Sequence, residues 1–474
     1  MKGQVSDYQI ESSSFQDPNS SVIWVGGRLF RYFDNKASEG FKKIIASGVL
    51  DYLIKQGLVI SYFKPGQSDL NRVKTMVSHA VSIIEHPVIP FISYAYEWPF
   101  SMLKDAALLL LDVQLELLQA GFILKDGRST NVQYVNGRPT FIDLGSIESY
   151  LDGNVWAGYT QFCHKFLNPL LFQTATGIPF QPLLRSNPAG IAPELLYRLL
   201  SWPARLRRGA FSHVTMQSWL NKLFADGTDT GLSSLQQARV SRSALIRQVH
   251  ALRQTITGLK TGKCRSPWLE YDPSSSYPAE ASRAKQEFVE ARLAALSPQV
   301  VYDCGCNAGD YSLSAARYAR LVVAMDFDPA VVDALYQRCR GKQPNILPLV
   351  MDMTSPSPEQ GWAQEEYHGL QQRGAADMVL WLALTHHLGL TYNIPLGKQV
   401  KWIASLGHNA IIEFVPVSDP MARTLVKWHN DPDVHYLYTR EVLEEALPRH
   451  FTGTEVCHLP GSGRSLYLVS QQTT

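Results

Sequence analysis

The sequence predicts a two-domain α/β protein, in which a doubly wound, largely parallel sheet forms the C-terminal part and an α+β domain precedes it. The length of 474 residues exceeds that of a usual single domain. Beyond residue 265, apolar runs alternate with helical segments, as in βαβ units: VVYDCG, LVVAMD, NILPLVMD, ADMVLWLAL, NAIIEFV and SLYLVS. The stretch TGKCRSPWLEYDPSSSYPAEAS, rich in Ser, Pro and Gly, comes directly before these runs. We therefore expect domains at 1–265 and 266–474.

The composition excludes several classes of protein. With 45% apolar and only 18% charged residues, the chain has ample material for large cores and does not resemble a disordered protein. Its net charge of +2 gives no overall attraction to polyanions, so we expect no nucleic-acid partner. The 6 cysteines include no CxxC pair, which favours reduced thiols over a zinc site, and we expect no metal. The oligomeric state stays open.

The beginning of the chain and its apolar runs favour a cytoplasmic protein. MKGQVSDYQIESSS lacks the basic start and apolar stretch of a secretory signal. The longest apolar run, from Ala106 to Leu111, is far shorter than the roughly 20 residues that span a bilayer. We therefore expect no membrane span.

The first domain contains recognisable local patterns of both strands and helices. Gly26 and Gly27 separate two β-rich runs, which predicts a hairpin, because glycine adopts positive φ without steric cost. The other expected elements are a helical stretch over 38–57 interrupted near Gly48, a strong helix over 103–119 ended by Gly121, short helices over 169–203 and a longer helix over 233–259.

The second domain opens on a strand, a glycine-bearing turn and a helix. Gly305 and Gly309 allow the backbone to turn sharply and to bring its N–H groups close to a ligand. Asp303, Asp326 and Asp352 end three successive predicted strands. An acidic residue at the end of the second strand of a doubly wound fold holds both hydroxyls of a ribose.

A glycine-rich turn alone is a weak signal, because it also occurs where no ligand binds. The three strand-end carboxylates make a nucleoside-like cofactor the stronger interpretation. DCGCNAG departs from the dinucleotide pattern GxGxxG at Cys306, and no second βαβ half follows for a nicotinamide. An adenosine derivative without a pyrophosphate fits better.

These motifs resemble class I S-adenosylmethionine-dependent methyltransferases over residues 266–474. VYDCGCNAGDYS, AMDFDP, LVMDM and LWLALTHHL match the first four motifs of that family, in order and at the usual spacing. The resemblance implies a Rossmann-like fold that binds S-adenosyl-L-methionine. It also implies that Gly305 lines the methionine part, Asp326 holds the ribose, Asp352 contacts adenine and Asp303 orients the loop or the amino group. Asn307, Gly309 and Tyr277 complete the expected cofactor site.

A more specific resemblance extends along nearly the whole chain. WLEYDPSSSYP, GCNAGDYS, IIEFVPVSDPM, YEWPFSMLKDAALL, FIDLGSIE and YTQFCHKFLNPL are similar to a bacterial methyltransferase-like group that includes a host-specific nodulation protein. The resemblance implies methyl transfer to an acceptor that is not established. The Asn/Asp-Pro-Pro-aromatic and Pro-Cys motifs are absent after the fourth strand, which leaves oxygen, carbon or small-molecule nitrogen acceptors, such as a small molecule or a saccharide.

Three residues are candidates for catalysis. His386 and His387 follow the fourth predicted strand, and either is able to deprotonate a hydroxyl or amine near neutral pH. The alternative is that one packs against the sheet and donates to a carbonyl. Glu413 ends the fifth strand and is equally consistent with a structural carboxylate.

Aromatic residues precede the first strand of the second domain. Trp268, Tyr271 and Tyr277 suit a lid over adenosine or the sulfonium, where cation–π attraction helps. The alternative is a domain linker with aromatic anchors. Tyr277 is the preferred contact.

One segment of the first domain resembles the catalytic loop and metal-binding segment of protein and aminoglycoside kinases. In this resemblance, Asp126 would accept the substrate proton, while Asn131 and Asp143 would hold Mg²⁺. The expected histidine is Leu124 and the triplet is DLG, so a kinase-like fold reused for substrate binding fits better than phosphoryl transfer. A plain hairpin with charged turn residues is a further alternative.

The densest basic cluster is RLRRG at 205–209, and most such runs are solvated helix ends. The leading functional hypothesis is a methyltransferase whose first domain selects or presents the acceptor. The alternatives are a bifunctional protein with nucleotide-dependent phosphoryl transfer in its first half, and a non-catalytic S-adenosylmethionine-binding regulator.

Overall fold

The computed structural model describes residues 8–206, 208–215, 240–262, 266–269, 277–426 and 437–471. The proposed boundary residue 265, Tyr271, Arg207 and the first residues of the helix expected over 233–259 lie outside this part of the chain. The chain divides into two compact units. Unit 1 consists of Met1–Val135, Pro139–Cys264 and Glu359–Tyr367, and unit 2 of Asn136–Arg138, Arg265–Pro358 and His368–Thr474.

Unit 1 begins with an antiparallel sheet in the order β1-β2-β3-β4. Its central hairpin turns at Gly26 and Gly27, which have φ of 56° and 74°, as the glycine pair predicts. Ile23 and Phe30 pair across the hairpin and are both fully buried, so this hairpin carries one face of the local core. The strands of unit 1 are β1 (Tyr8–Ile10), β2 (Ser20–Val25), β3 (Arg28–Phe33), β4 (Ser82–His86), β5 (Phe122–Leu124), β6 (Val132–Val135), β7 (Arg138–Phe141, whose first residue belongs to unit 2) and β8 (Ile147–Ser149).

A long helix, α4, forms the centre of the remainder of unit 1. Apolar side chains surround most of its circumference, and it ends at Gly121, whose φ of 88° lets its N–H reach the last carbonyls. The interruption expected near Gly48 is present, because this glycine (φ 75°) separates two helices. The helices are α1 (Asn35–Ser47), α2 (Val49–Lys55), α3 (Gln67–Met76), α4 (Phe100–Ala120), α5 (Tyr159–Phe162), α6 (Asn168–Thr176), α7 (Gln181–Ser186), α8 (Pro193–Leu199), α9 (Trp202–Arg205), α10 (Arg208–Ala210) and α11 (Arg242–Gly258).

Unit 2 contains, in its described residues, a seven-stranded sheet of order β11-β10-β9-β12-β13-β15-β14. The strands β9 to β13 are parallel, which confirms the fold class predicted for this part of the chain. β15 runs antiparallel to both of its neighbours, β13 and β14. The strands are β9 (Val300–Cys304), β10 (Leu321–Asp326), β11 (Ile346–Val350), β12 (Ala376–Trp381), β13 (Gly407–Phe414), β14 (Gly453–His458) and β15 (Ser465–Ser470).

An α-helix lies between β9 and β10, between β10 and β11 and between β12 and β13, as expected for βαβ units. Because β9 lies between β10 and β12, the strand order reverses there, and such a switch point opens a crevice at the carboxyl ends of the strands. Within the described ranges, no helix combines the length and the apolar character needed to cross a bilayer. The helices are α12 (Ala279–Leu296), α13 (Asp310–Ala315), α14 (Pro329–Cys339), α15 (Leu396–Leu406), α16 (Pro420–Val426) and α17 (Arg440–Ala446).

Candidate functional site

A cavity of about 410 Å³ lies at the carboxyl edge of the parallel strands of unit 2. This volume is in the range of small-molecule sites, roughly 300–1,000 Å³. Two further predicted site residues, Gly309 and Glu413, are not among the residues that line the cavity. The predicted site residues that line it are Tyr277, Asp303, Gly305, Asn307, Asp326, Asp352, His386 and His387.

The loop after β9 requires glycine at two positions. Gly305 has φ of 75° and Gly309 has φ of 83°, a region that other residues rarely adopt. A Cβ atom at Gly309 would also lie 2.4 Å from Cδ1 of Leu335. The N–H groups of Gly305 and Cys306 donate to the carbonyl of Met325, at 2.8 Å and 3.0 Å. These bonds fix the loop against the end of β10.

Asp326 is held at the end of β10 by backbone donors. The N–H groups of Asn307 and Asp328 each donate to its carboxylate at 3.0 Å. Burial raises the pKa of Asp326 to about 6, although these bonds oppose the shift. Because Asp326 also lines the cavity, hydroxyl groups of a ligand would be able to donate further hydrogen bonds to its carboxylate.

The other two strand-end carboxylates differ in their surroundings. Asp303 is almost fully buried, its carboxylate accepts a hydrogen bond of 2.5 Å from the hydroxyl of Ser312, and burial raises its pKa to about 6. Asp352 accepts from both the N–H and the hydroxyl of Thr354, at 2.8 Å and 2.7 Å. Asp352 is therefore oriented by its own turn, whereas Asp303 is oriented by α13.

Glu413 is fully buried and contacts two cations and a phenol. Its Oε2 lies 2.7 Å from Nζ of Lys285, and its Oε1 lies 3.3 Å from Nη1 of Arg464. Tyr277 donates its hydroxyl to Oε1 at 2.8 Å, and the N–H of Ala383 donates to Oε2 at 2.9 Å. Burial alone would raise the pKa of Glu413, but the charges of Lys285 and Arg464 outweigh it and lower the pKa. These contacts favour the structural alternative for Glu413.

Lys285 and Arg464 line the cavity, and the sequence interpretation missed both. Arg464 also pairs with Asp419, with Nε and Oδ2 2.8 Å apart, and its guanidinium lies 4.1 Å from the ring centre of Tyr277. One signal for Lys285 was available, because it occupies the buried stripe of α12 together with Ala281 and Phe288. A lysine in an apolar stripe indicates a buried partner of opposite charge.

His386 and His387 lie side by side in the cavity wall, with ring centres 4.2 Å apart. Burial lowers the pKa of His386 well below its usual value, and the charges of His387 and Arg464 lower it further. Nδ1 of His386 is buried and has no hydrogen-bond partner among the described residues. The pKa of His387 is lowered by burial and by Arg464, but this residue is only partly buried.

Two of the aromatic residues expected in the segment before β9 line the cavity. Trp268 makes edge contacts with Phe327 and His387, at ring-centre distances of 6.2 Å and 5.7 Å. Tyr277 is fixed by its hydrogen bond to Glu413 and by Nζ of Lys285, which donates to its hydroxyl at 3.0 Å. Aromatic side chains thus contribute to the cavity wall at two separate places.

The kinase-like segment of unit 1 forms the hairpin of β6 and β7. The N–H of Ile142 donates to the carbonyl of Asn131 at 2.9 Å, which brings Asn131 and Asp143 to the same end of this hairpin. Asp143 pairs with Arg31 of β3 at 2.9 Å, and Asp126 lies 3.6 Å from Nε of Arg128.

These pairs bear on the three residues predicted to bind nucleotide or metal, Asp126, Asn131 and Asp143. Both carboxylates carry an arginine counter-charge, which opposes the binding of a second cation. The described residues contain no group of three or more His, Cys, Asp or Glu side chains able to hold a metal ion. The arginine pairs therefore disfavour Mg²⁺-dependent phosphoryl transfer by these residues, and a kinase-like fold for unit 1 stays a prediction.

Comparison with known proteins finds one curated relative along nearly the whole chain. Nodulation protein NoeA of Rhizobium meliloti (strain 1021) is 34% identical over 459 residues, which cover 96% of this chain and 95% of the relative. No protein-family model matches the chain.

Two similar solved structures each cover less than half of the chain. N-methyltransferase NodS from Bradyrhizobium japonicum WM9 in complex with S-adenosyl-L-homocysteine is 13% identical, with 43% of this chain and 93% of that chain covered and a TM-score of 0.31. Magnesium protoporphyrin IX methyltransferase (ChlM) from Synechocystis PCC 6803 is 16% identical, with 41% and 85% covered and a TM-score of 0.30. On the strength of the full-length relative and of the strand order of unit 2, the chain belongs to the family of nodulation protein NoeA, with the class I S-adenosylmethionine-dependent methyltransferase fold in its second unit.

Proposed function

We propose that the protein is an S-adenosyl-L-methionine-dependent methyltransferase that modifies an oxygen or nitrogen atom of a small molecule or saccharide. The observation that carries this proposal is the cavity of about 410 Å³ at the switch point, bordered by the strand-end carboxylates Asp303, Asp326 and Asp352. Three carboxylates around one crevice suit a ligand with several hydroxyl and amino donors.

The residues present fit this cofactor. Asp326, whose pKa is raised by burial, would accept hydrogen bonds from the two ribose hydroxyls. Asp352 would accept from the adenine amino group, and Asp303 would orient the loop or the methionine amino group. Gly305, Asn307 and Gly309 would form the turn beside the methionine part, and Tyr277 would face the sulfonium. When bound, S-adenosyl-L-methionine supplies a methyl group on a positively charged sulfur, ready for displacement.

The contribution of the protein to methyl transfer is alignment and proton removal. An acceptor oxygen or nitrogen forms the new bond to the methyl carbon as the sulfur–carbon bond breaks, and S-adenosyl-L-homocysteine leaves. The acceptor proton requires a base, and His387 suits this role because it lines the cavity and is only partly buried. His386 is less suited, because its strongly lowered pKa makes it a weaker base.

Unit 1 would select or present the acceptor. It is too large to serve as a lid alone, which is consistent with a binding role of its own. We also propose a cytoplasmic location for the protein.

Calorimetry with S-adenosyl-L-methionine tests the cofactor assignment. We expect binding by the wild type and weakening of about 2 kcal/mol in Asp326→Ala, the scale for loss of a hydrogen bond to a charged group. Asp310→Asn is the matched control, because Asp310 lines the cavity but has a side chain that is 60% exposed. No binding by the folded wild type would overturn the proposal.

Labelled cofactor incubated with total cell extract tests transfer and identifies the acceptor class. We expect label in a saccharide or small-molecule fraction, and a loss of roughly 100-fold in rate for His387→Asn with cofactor affinity retained. His386→Asn is the control, because it removes the other ring of the contact between His386 and His387. Cofactor binding without label transfer to any fraction would favour a non-catalytic regulator.

A further inference from the structure

Four exposed apolar side chains lie on α8, on α9 and directly after α9 in unit 1. The exposed fractions are 41% for Leu195, 42% for Leu199, 71% for Trp202 and 52% for Leu206. We call these four residues the 195–206 patch. Single exposed apolar residues are ordinary, but several large ones within two adjoining helices indicate a surface that meets a partner.

The opposite side of the same segment anchors it to the core. Leu196 is fully buried and Leu200 is 2% exposed, so the exposed leucines do not result from a detached segment. Leu195 and Leu199 are four residues apart on α8 and therefore share a face. Packing inward is already satisfied by other leucines, which leaves this face for an external contact.

One arginine connects the two short helices. The guanidinium of Arg205 on α9 lies 4.1 Å from the ring centre of Tyr197 on α8. Its Nε also donates to the carbonyl of Leu200 at 2.9 Å. These contacts connect α9 to α8, so the four residues of the patch belong to one stretch of chain that is held together.

The charge of this segment favours an anionic partner. Residues 191–209 contain four arginines and one glutamate, a net charge of +3, whereas the whole chain has a net charge of +2. Arg198 is exposed on the last turn of α8, next to Leu199. Arg205, the first residue of the basic run at 205–209, directly precedes Leu206 of the patch.

The combination of apolar and basic side chains distinguishes between anionic partners. A single-stranded nucleic acid would need several aromatic side chains on which successive bases stack, and Trp202 is the one aromatic residue among the four residues of the patch. Tryptophan at the boundary between apolar and polar phases, flanked by arginine, is typical of proteins that lie on lipid surfaces. We propose that the 195–206 patch docks unit 1 onto a membrane surface that contains anionic lipid.

On such a surface Trp202, Leu199 and Leu206 enter the boundary between headgroups and acyl chains. Arg198 remains at the level of the headgroups and pairs with their phosphates. Docking is peripheral and reversible, since only a few side chains enter the lipid. It also weakens with added salt, because the arginine contribution is electrostatic.

Co-sedimentation of the full-length protein with phosphatidylcholine vesicles, with and without phosphatidylglycerol, tests the proposal. We expect binding to the anionic vesicles that falls with salt, and little binding to phosphatidylcholine alone. Trp202→Ser should weaken binding about tenfold, and Arg198→Gln about fivefold. Phe63→Ser is the matched control, because Phe63 is 52% exposed and lies in a different part of unit 1, and it should bind as the wild type does.

Folding is not at issue in these variants, because Trp202 is 71% exposed, and circular dichroism checks that they remain folded. Absence of binding to anionic vesicles would overturn the proposal, as would binding unchanged in both variants. A gel-shift experiment with single-stranded DNA tests the alternative of a nucleic-acid partner. Retention of DNA that is lost in Arg198→Gln but kept in Trp202→Ser would identify a polyanion site and also overturn it.

Discussion

Tyr277 and Glu413, which are 136 positions apart, are joined by a hydrogen bond of 2.8 Å from the phenol to the carboxylate. This bond connects the segment before the parallel sheet to the end of its fifth strand in the chain. Nζ of Lys285 donates to both residues, at 3.0 Å and 2.7 Å. Tyr277 is therefore held in the cavity wall by charged groups that are themselves buried.

Glu413→Gln should destabilise the protein by about 3 kcal/mol, because it leaves Lys285 and Arg464 buried without their shared counter-charge. Cofactor affinity should fall as well, since Tyr277 loses its anchor. Urea unfolding and calorimetry measure the two effects. Glu444→Gln is the control, because its carboxylate also accepts from a tyrosine hydroxyl, that of Tyr467, but is exposed. Equal stability of both variants would contradict the assigned role of Glu413.

Affinity for S-adenosyl-L-methionine should fall as the pH decreases from about 7.5 to about 5. The pKa values of Asp303 and Asp326 are raised to about 6, so both carboxylates take up protons in this range and accept hydrogen bonds less well. The contribution of these two carboxyl groups to the stability of the folded protein depends on pH in the opposite direction to cofactor affinity. The folded state binds their protons more readily, so this contribution is present at low pH and is lost as the pH rises from about 4 to about 6.

Calorimetry across this pH range checks the prediction, with Asp326→Asn as the comparison. This variant should bind weakly at every pH and should lose part of the pH dependence, with Asp303 responsible for the remainder. An affinity that stays constant over the range would show that neither carboxylate contacts the cofactor.

Gly309→Ala should impair folding and cofactor binding more than Gly305→Ala. Both positions have positive φ, which costs about 1–2 kcal/mol for a residue with a Cβ. Only at Gly309 would that Cβ also overlap with Leu335, at 2.4 Å, whereas at Gly305 the nearest atom is Cδ1 of Leu384 at 3.5 Å. Thermal unfolding and cofactor titration of the pair measure the difference. Similar values for both would mean that Leu335 moves aside freely.

Asp143→Asn should cost about 1–2 kcal/mol, because Arg31 is largely buried and loses its ion pair. Asp112→Asn breaks the more exposed pair with Arg253 and should cost about 0.5 kcal/mol or less. Methyl transfer should persist in both variants. We expect no binding of Mg-ATP by the wild type, and calorimetry that detects binding lost in Asp143→Asn would restore the hypothesis of phosphoryl transfer.

Local patterns were sufficient to predict six of the seven described strands of the unit 2 sheet and the carboxylates Asp303, Asp326 and Asp352. The pattern of an apolar run, an acidic residue and a glycine turn can be recognised from neighbouring residues alone, as at Asp303 and Gly305. The antiparallel direction of β15 was not predicted, because SLYLVS resembles the parallel strands in composition. The strand Gly453–His458 was missed as well, since its side chains are mostly exposed and lack an apolar run.

The role of Glu413 required the tertiary structure. Its position at a strand end was visible in the sequence, but Lys285 and Arg464 lie 128 and 51 positions away. Charge pairs at such separations leave no periodic signal. The arginine partners of Asp126 and Asp143 differ in this respect, because Arg128 is only two residues from Asp126, whereas Arg31 comes from β3.

Residues Glu359–Tyr367 belong to unit 1, although the chain on either side of them belongs to unit 2. Within unit 1, Tyr367 contacts the ring of Tyr94 at 5.0 Å, and Gln360 donates to the carbonyl of Arg185 at 2.8 Å. A gene fragment that starts at residue 266 would therefore encode nine residues without their packing partners, and a fragment that ends at residue 264 would lack them. Each fragment would therefore separate Glu359–Tyr367 from the residues that pack against them in unit 1.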